Sequence, residues 1–269
     1  MSLRIQGLAV TNADNPRIAF LHDIDLIVPD GKIVGLVGES GAGKSLLLAA
    51  ILGVLRRPAH VISGNAYVDD LNLLALPERE LNRLRGRQIG FIGPNPHVLL
   101  NPLLPVGVQV ANFLRAHAGR ADAGETRDRV VEMFRSVGIQ DPDSRFESYP
   151  HELSGGMAQR VIISIGLISS PALILADEPT FGLDVTIQAQ VLELIRKLIA
   201  DAGRSMLLVT RDLAIVAQYC DLVYILNEGR MLEGRDVVSF FDAPGTDYGQ
   251  SLLDSVSLAG VSSVRGQTP

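Results

Sequence analysis

An apolar run, Ile33-Val34-Gly35-Leu36-Val37, leads straight into Gly38-Glu39-Ser40-Gly41-Ala42-Gly43-Lys44-Ser45 and then into a helix-like segment from Leu46 to Leu55. The octet fits G-x-x-x-x-G-K-[ST], and its flanks supply the strand and the helix that this pattern requires of a phosphate-binding loop. Its glycines let successive backbone N–H groups turn inward around phosphate oxygens, and the helix N-terminus adds partial positive charge. Lys44 is then placed to reach β- and γ-phosphates, and the Ser45 hydroxyl to coordinate Mg²⁺. The competing reading is a glycine-rich turn with no ligand, which the strand and helix on either side weigh against. The loop alone says only nucleotide.

A second stretch, from Ala172 to Asp184, reads Ala-Leu-Ile-Leu-Ala-Asp-Glu-Pro-Thr-Phe-Gly-Leu-Asp. The segment Leu173–Ala176 suits a buried parallel strand, with two carboxylates at its C-terminal end, the edge where open α/β sheets bind ligands. Asp177 is placed to support Mg²⁺ and Glu178 to polarise a water for in-line attack on a γ-phosphate. An Asp-Glu pair that merely favours the start of the next helix is the alternative.

Upstream, Leu153-Ser154-Gly155-Gly156-Met157 follows Pro150 at the start of another helix. These elements together resemble the nucleotide-binding subunits of ATP-binding cassette (ABC) transporters, over nearly the whole chain and in the expected order. Leu153–Met157 is similar to the family signature, in a variant ending in Met. Asp177 and Glu178 match its Walker B residues, and Gly182-Leu183-Asp184 its D-loop. Three further segments look like the oligopeptide, dipeptide and nickel importer branch: Leu100-Asn101-Pro102, Asp184-Val185-Thr186-Ile187-Gln188-Ala189-Gln190 and Asp247-Tyr248-Gly249-Gln250-Ser251-Leu252-Leu253.

The resemblance implies an α/β fold: a P-loop, RecA-like core with a mostly parallel sheet, an antiparallel β subdomain and a helical subdomain carrying the signature. Expected boundaries are 1–93 and 161–242 for the two parts of the core, 94–160 for the helical region and 243–269 for a C-terminal tail. The alternation of strand and helix after Leu173 agrees with a mostly parallel sheet. Strands are expected at Leu3–Thr11, Ala19–Val28 and Ile89–Ile92, helices between Val106 and Gly138 with a soft break near Ala118–Gly124, and a hairpin turn at Asn227–Arg230. The segment after about Gly260 is polar and is expected to be unstructured.

The resemblance also implies an ATPase with ATP and Mg²⁺ as its ligands, partnered by membrane permease subunits and a second cassette, and indirectly by a periplasmic or extracellular solute-binding protein. Ser154, Gly155 and Gly156 would approach the partner's nucleotide, the glycines by close backbone contact. Pro94–Pro105 resembles the segment that faces the permease. The expected place is the cytoplasmic face of the inner membrane, as a peripheral subunit. An accessory ATPase of a soluble complex such as carbon–phosphorus lyase is the rival. A DNA-maintenance or translation ATPase is a weaker one, since the chain has neither a coiled-coil insertion nor a second cassette.

Composition is compatible with this. Hydrophobic residues make up 47% of the 269 and charged ones 20%, an apolar surplus that docking faces and buried strands would both absorb. No uninterrupted apolar run approaches the ~18 residues of a membrane span, and the N-terminus lacks a signal-peptide core. At net charge −6, with Lys and Arg dispersed, there is no basic stripe for nucleic acid. The single cysteine, Cys220, reads as a core residue. Some relatives carry a cysteine-rich tail that holds an iron–sulfur cluster, but no cysteine follows Cys220, so none is expected here.

Two positions depart from the family pattern. Where the family has a glutamine that contacts Mg²⁺ and the γ-phosphate, this chain has Pro94, which offers neither a side-chain oxygen nor an N–H; Asn95 carries a carboxamide one residue out of register. Where the family has a γ-phosphate histidine, this chain has Arg211, a fixed cation with a fork of donors. The window expected to hold an adenine-stacking aromatic contains Asn15, Pro16 and Arg17. These departures all fall on this chain's own nucleotide. The expectation is therefore a degenerate own site, with Glu178 and Arg211 as its catalytic residues, an intact signature and a heterodimeric partner cassette. Tolerated drift in a symmetric enzyme is the alternative.

Overall fold

The computed structural model describes residues 1–118 and 122–258; the polar stretch after Gly260 lies outside them. Two compact units share the chain, one built from residues 2–75 and from 207 onward, the other from Met1 and residues 76–206. Elements β1 (Leu3–Asn12), β2 (Ala19–Val28), β3 (Ile33–Val37), α1 (Lys44–Ile51), β4 (Ala59–Val68) and β5 (Leu71–Asn72) form the first leg. The middle leg carries α2 (Glu78–Leu84), β6 (Ile89–Ile92), α3 (Pro96–Leu99), α4 (Val106–Ala118), α5 (Ala123–Ser136), α6 (Pro142–Arg145), α7 (Gly155–Leu167), β7 (Leu173–Asp177) and α8 (Val185–Ala200). Strand β8 (Ser205–Thr210) leads back, followed by α9 (Leu213–Tyr219), β9 (Leu222–Asn227), β10 (Arg230–Asp236), α10 (Val237–Asp242) and α11 (Asp247–Leu258).

In the first unit β5, β4, β1 and β2 pair antiparallel in that order. Leu21, Ile24, Leu26 and Val28 of β2 are buried, with exposed residues between them at Asp23, Asp25 and Ile27. The alternation slips a step where Gly7 and Asp23 take positive φ, 57° and 48°, and the register between β1 and β2 shifts. An inserted residue of this kind bends and twists the pair. Strand β3 is buried along its whole length and runs parallel to β9, as a strand covered on both faces should. Strands β9 and β10 form the expected hairpin, its turn made by Glu228 and Gly229 at φ 46° and 71°. Positive φ at both central residues suits a tight turn that follows strand twist.

Helix α1 ends at Ile51, short of the expected Leu55. Gly53 sits at φ 64°, and the N–H groups of Gly53 and Val54 donate to the carbonyls of Ala50 and Ala49. A left-handed glycine with this pair of bonds stops a helix.

In the second unit β6 and β7 pair parallel, Ile89 with Leu173 through Ile92 with Ala176. Helices α4, α5 and α7 bury Val110, Leu114, Val130, Phe134, Val161 and Ile163 completely. Helix α7 rests close on β6 because both surfaces carry a glycine. A methyl on Gly90 would run into the Gly166 carbonyl and lie 2.7 Å from Pro171 Cγ. Gly90→Ala should therefore cost about 1–3 kcal/mol, read as a lower denaturant midpoint; an unchanged midpoint would mean that the helix can slide off the strand freely.

Candidate nucleotide-binding site

The phosphate loop joins the C-terminal end of β3 to α1 within the first unit. Gly41 and Gly43 take φ of 84° and 108°, with Gly43 as the residue that caps α1. Only glycine adopts such angles without strain. A side chain on Gly43 would also meet Leu21 Cδ2 at 2.6 Å, and one on Gly38 would overlap the Leu226 carbonyl. The loop is thus wedged against β2 and β9. The Gly229 N–H, from the β9–β10 turn, donates to the Ala42 carbonyl at 3.0 Å.

Lys44 is 5% exposed. Its ammonium donates to the carbonyls of Gly38 at 2.6 Å and Glu39 at 2.8 Å, so the loop curls around its own lysine. A buried cation held by loop carbonyls, beside the amides of a helix N-terminus, is the donor set a polyphosphate takes. Ser45, on the first turn of α1, is exposed. Arg211 follows β8 and lines, with Val37, Gly38, Glu39, Ser40 and Leu252, a pocket of about 380 Å³. Arg211 therefore stands beside the phosphate loop. In the window before it, residues 15–18 form a turn closed by the Ile18 N–H on the Asn15 carbonyl, and Phe20 is half-buried in β2.

The second unit holds the remaining candidates. Asp177 ends β7 and is 8% exposed. Glu178 follows at φ 41°, a left-handed geometry that costs a non-glycine residue about 1–3 kcal/mol and collects at functional sites. Its carbonyl accepts from the Phe181 N–H at 3.0 Å, closing the turn. Ile92 pairs with Ala176, and Pro94 and Glu178 each come two residues later in the chain. Asn95 follows Pro94. Its side-chain oxygen accepts from the His97 N–H at 3.1 Å and caps α3.

Ser154 caps α7, its Oγ accepting from the Met157 N–H at 3.3 Å. The two signature glycines differ. A methyl on Gly156 would lie 2.6 Å from Ile187 Cγ2 on α8, whereas one on Gly155 would find only Leu183 Cδ2, at 3.6 Å. The bare Cα of Gly156 lets α7 pack closely on α8, whereas Gly155 has room for a Cβ. Sequence reasoning overlooked Gln159. It is 1% exposed, and its Nε2 donates to the Gly93 carbonyl at 3.1 Å, tying the signature helix to the residue before Pro94. A lone carboxamide between Ala158 and Val161 on an otherwise apolar helix face was the available signal.

The profile of a family described as ABC transporter matches residues 21–181. A probable peptide ABC transporter ATP-binding protein of Sinorhizobium fredii is 40% identical over 237 residues, covering 88% of this chain and 70% of that protein. The dipeptide transport ATP-binding protein DppD of Escherichia coli is 39% identical, covering 86% and 70%. Among solved structures, the dimeric ATP-binding cassette MJ0796 bound to ADP and Pi aligns at a TM-score of 0.76 and 26% identity, over 87% of this chain and 98% of that one. The cbiO1 subunit from Clostridium perfringens shares the fold at a TM-score of 0.77 and 24% identity, over 95% and 94%.

Proposed function

The chain belongs to the ABC transporter family, and from that premise we propose that it is the ATP-binding subunit of a peptide or dipeptide importer, with a slow nucleotide site of its own. The cassette is an ATPase, with ATP as substrate. The observation that carries the reading is the phosphate loop, which is wound around a buried Lys44 and flanked by Arg211. The relatives named for peptide import give the carbon–phosphorus lyase alternative no support.

In this reading the amides of Gly41–Ser45 and the Lys44 ammonium hold the β- and γ-phosphates, and Lys44 exchanges the Gly38 and Glu39 carbonyls for phosphate oxygens. The Ser45 hydroxyl is a hard oxygen donor of the kind Mg²⁺ prefers, and so is the Asp177 carboxylate. Bound there, the ion would neutralise charge developing between the β- and γ-phosphates. Glu178 polarises the attacking water. Pro94 contributes no contact, Asn95 has committed its oxygen to a helix cap, and Arg211 offers charge without a neutral form. Ser154, Gly155 and Gly156 serve the nucleotide of a second, different cassette. Permease subunits engage Pro94–Pro105, which places the chain at the cytoplasmic face of the membrane; among the described residues no helix is long and apolar enough to cross it.

The test is uptake. In cells lacking this chain, import of a labelled dipeptide through the cognate permease should stop and return on re-expression; undiminished uptake would remove the importer reading. A second measurement addresses the slow site. Pro94→Gln combined with Arg211→His should raise the ATPase rate at least about tenfold, since one phosphate-contacting donor is worth ~10²–10³ in rate. A restored chain no faster than the parent would place the deficit elsewhere.

A further inference from the structure

Helix α11 is seated by a buried carboxylate on β10. The Glu233 side chain is 7% exposed. It accepts from the Gly245 N–H at 2.6 Å and the Thr246 hydroxyl at 3.1 Å, and that hydroxyl in turn accepts from the Gly249 N–H at 3.0 Å. Arg235 grips the same turn: its Nε lies 3.6 Å from the Glu233 carboxylate, and its guanidinium donates to the Ala243 carbonyl at 2.5 Å. A buried carboxylate is costly unless it is satisfied in this way, and here its partners belong to the segment that starts α11. A methyl on Gly249 would collide with the Glu233 carboxylate, so the glycine lets the helix start lie this close.

Seated there, α11 packs Leu252 and Leu253 on the cluster that contains Val37, Leu213 and Val216. Val37 is the last residue before Gly38, and Leu213 opens α9 two residues after Arg211. Leu252 is thus held between the entrance of the phosphate loop and the segment that delivers Arg211, all within the first unit. It completes the pocket of about 380 Å³ whose other walls are Val37, Gly38, Glu39, Ser40 and Arg211. Arg211 is the cation of that lining, Glu39 its anion, and Val37 and Leu252 its two large apolar side chains. Glu39 is exposed, so water screens its charge. Leu252 is half-buried and puts an apolar surface beside a cation.

We propose that Leu252 is a positioning residue for the terminal phosphate of ATP: from α11 it forms the apolar wall of the pocket, keeps water from the Arg211 guanidinium, and so sharpens the preference of the site for a triphosphate over a diphosphate. This rests on the reading of Gly38–Ser45 as an ATP site. The loop amides hold the β-phosphate, which ATP and ADP share, and Arg211 meets the γ-phosphate alone. A guanidinium–phosphate contact is stronger where an apolar wall excludes water, because less solvent screens it. A polar side chain at position 252 readmits water. Losing part of a charge-assisted bond changes an equilibrium by about three- to tenfold.

Equilibrium dialysis of Mg-ATP and of Mg-ADP against the full chain tests it. Leu252→Gln should weaken ATP binding about three- to tenfold and ADP binding less than about twofold, so the ratio of the two affinities falls. Leu252→Met, which keeps the apolar volume, should keep the parental ratio. In an Arg211→Gln background the effect of Leu252→Gln should vanish, because the wall acts through that guanidinium. Gly249→Ala, which pushes the start of α11 off Glu233, should lower the ratio in the same direction. ATP and ADP weakened alike would mark Leu252 as packing alone and overturn the role. So would an effect of equal size with and without Arg211. Should Leu252→Gln fail to fold, Leu252→Thr carries the same comparison. A parental ratio in these variants, beside lost binding of both nucleotides in a Lys44→Ala control, would overturn the wall and leave the ATP site standing. If the parent chain binds neither nucleotide, the ATP-site reading falls and the inference with it.

Discussion

Lys44→Ala abolishes measurable ATP binding by this chain at concentrations that saturate the parent, a loss of about 100-fold or more in affinity. The ammonium is the one side-chain cation within Gly38–Ser45, and charge-assisted bonds to phosphate contribute about 1.5–3 kcal/mol each, so losing two gives a change of this order. The same substitution removes the donor to the Gly38 and Glu39 carbonyls, so its effect on the fold has to be read separately. A melting curve of the ligand-free protein makes that separation. Parental ATP affinity in the variant would remove the phosphate-loop assignment, whatever the curve shows. Lys44→Arg should not rescue binding, because a planar guanidinium does not fit a pocket shaped around a compact ammonium.

The second large effect is an asymmetry between two substitutions in the assembled transporter. Gly155→Asp should reduce turnover by about 100-fold or more, and Glu178→Gln by only a few-fold. If the chain's own site is already short of transition-state contacts, removing Glu178 takes away little that remains. On the proposed reading, a carboxylate at Gly155 would instead repel phosphates bound at a second cassette's complete site. The structure selects Gly155 over its neighbours as the probe. Ser154→Ala also removes a helix cap, worth about 1 kcal/mol. Any side chain on Gly156 strikes Ile187, so activity lost there confounds function with packing. Gly155 has room for a Cβ. Near-complete loss from Glu178→Gln as well would restore a symmetric pair of active sites.

What could be read from the residues depended on how local the cause was. The Gly38–Ser45 loop was legible because its function requires particular backbone angles and one cation within eight consecutive positions. The hairpin at Glu228-Gly229 was legible for the same reason, and strands β3 and β7 because burial on both faces leaves a continuous apolar run. The end of α1 was misjudged: leucines continue the apolar pattern to Leu55, yet a single left-handed Gly53 outweighs them. The role of Asn95 was open until the structure committed its oxygen to the His97 N–H.

The sequence by itself determined the family and the α/β fold, since both are encoded in short runs whose chemistry tolerates few alternatives. The tertiary structure alone decided which of two adjacent glycines is occupied by packing, that Gln159 ties the signature helix to Gly93, and that Arg211 and Leu252 share a pocket with the loop. No local pattern carries such pairings, because burial and hydrogen bonding are settled between surfaces that meet only when the chain has closed on itself.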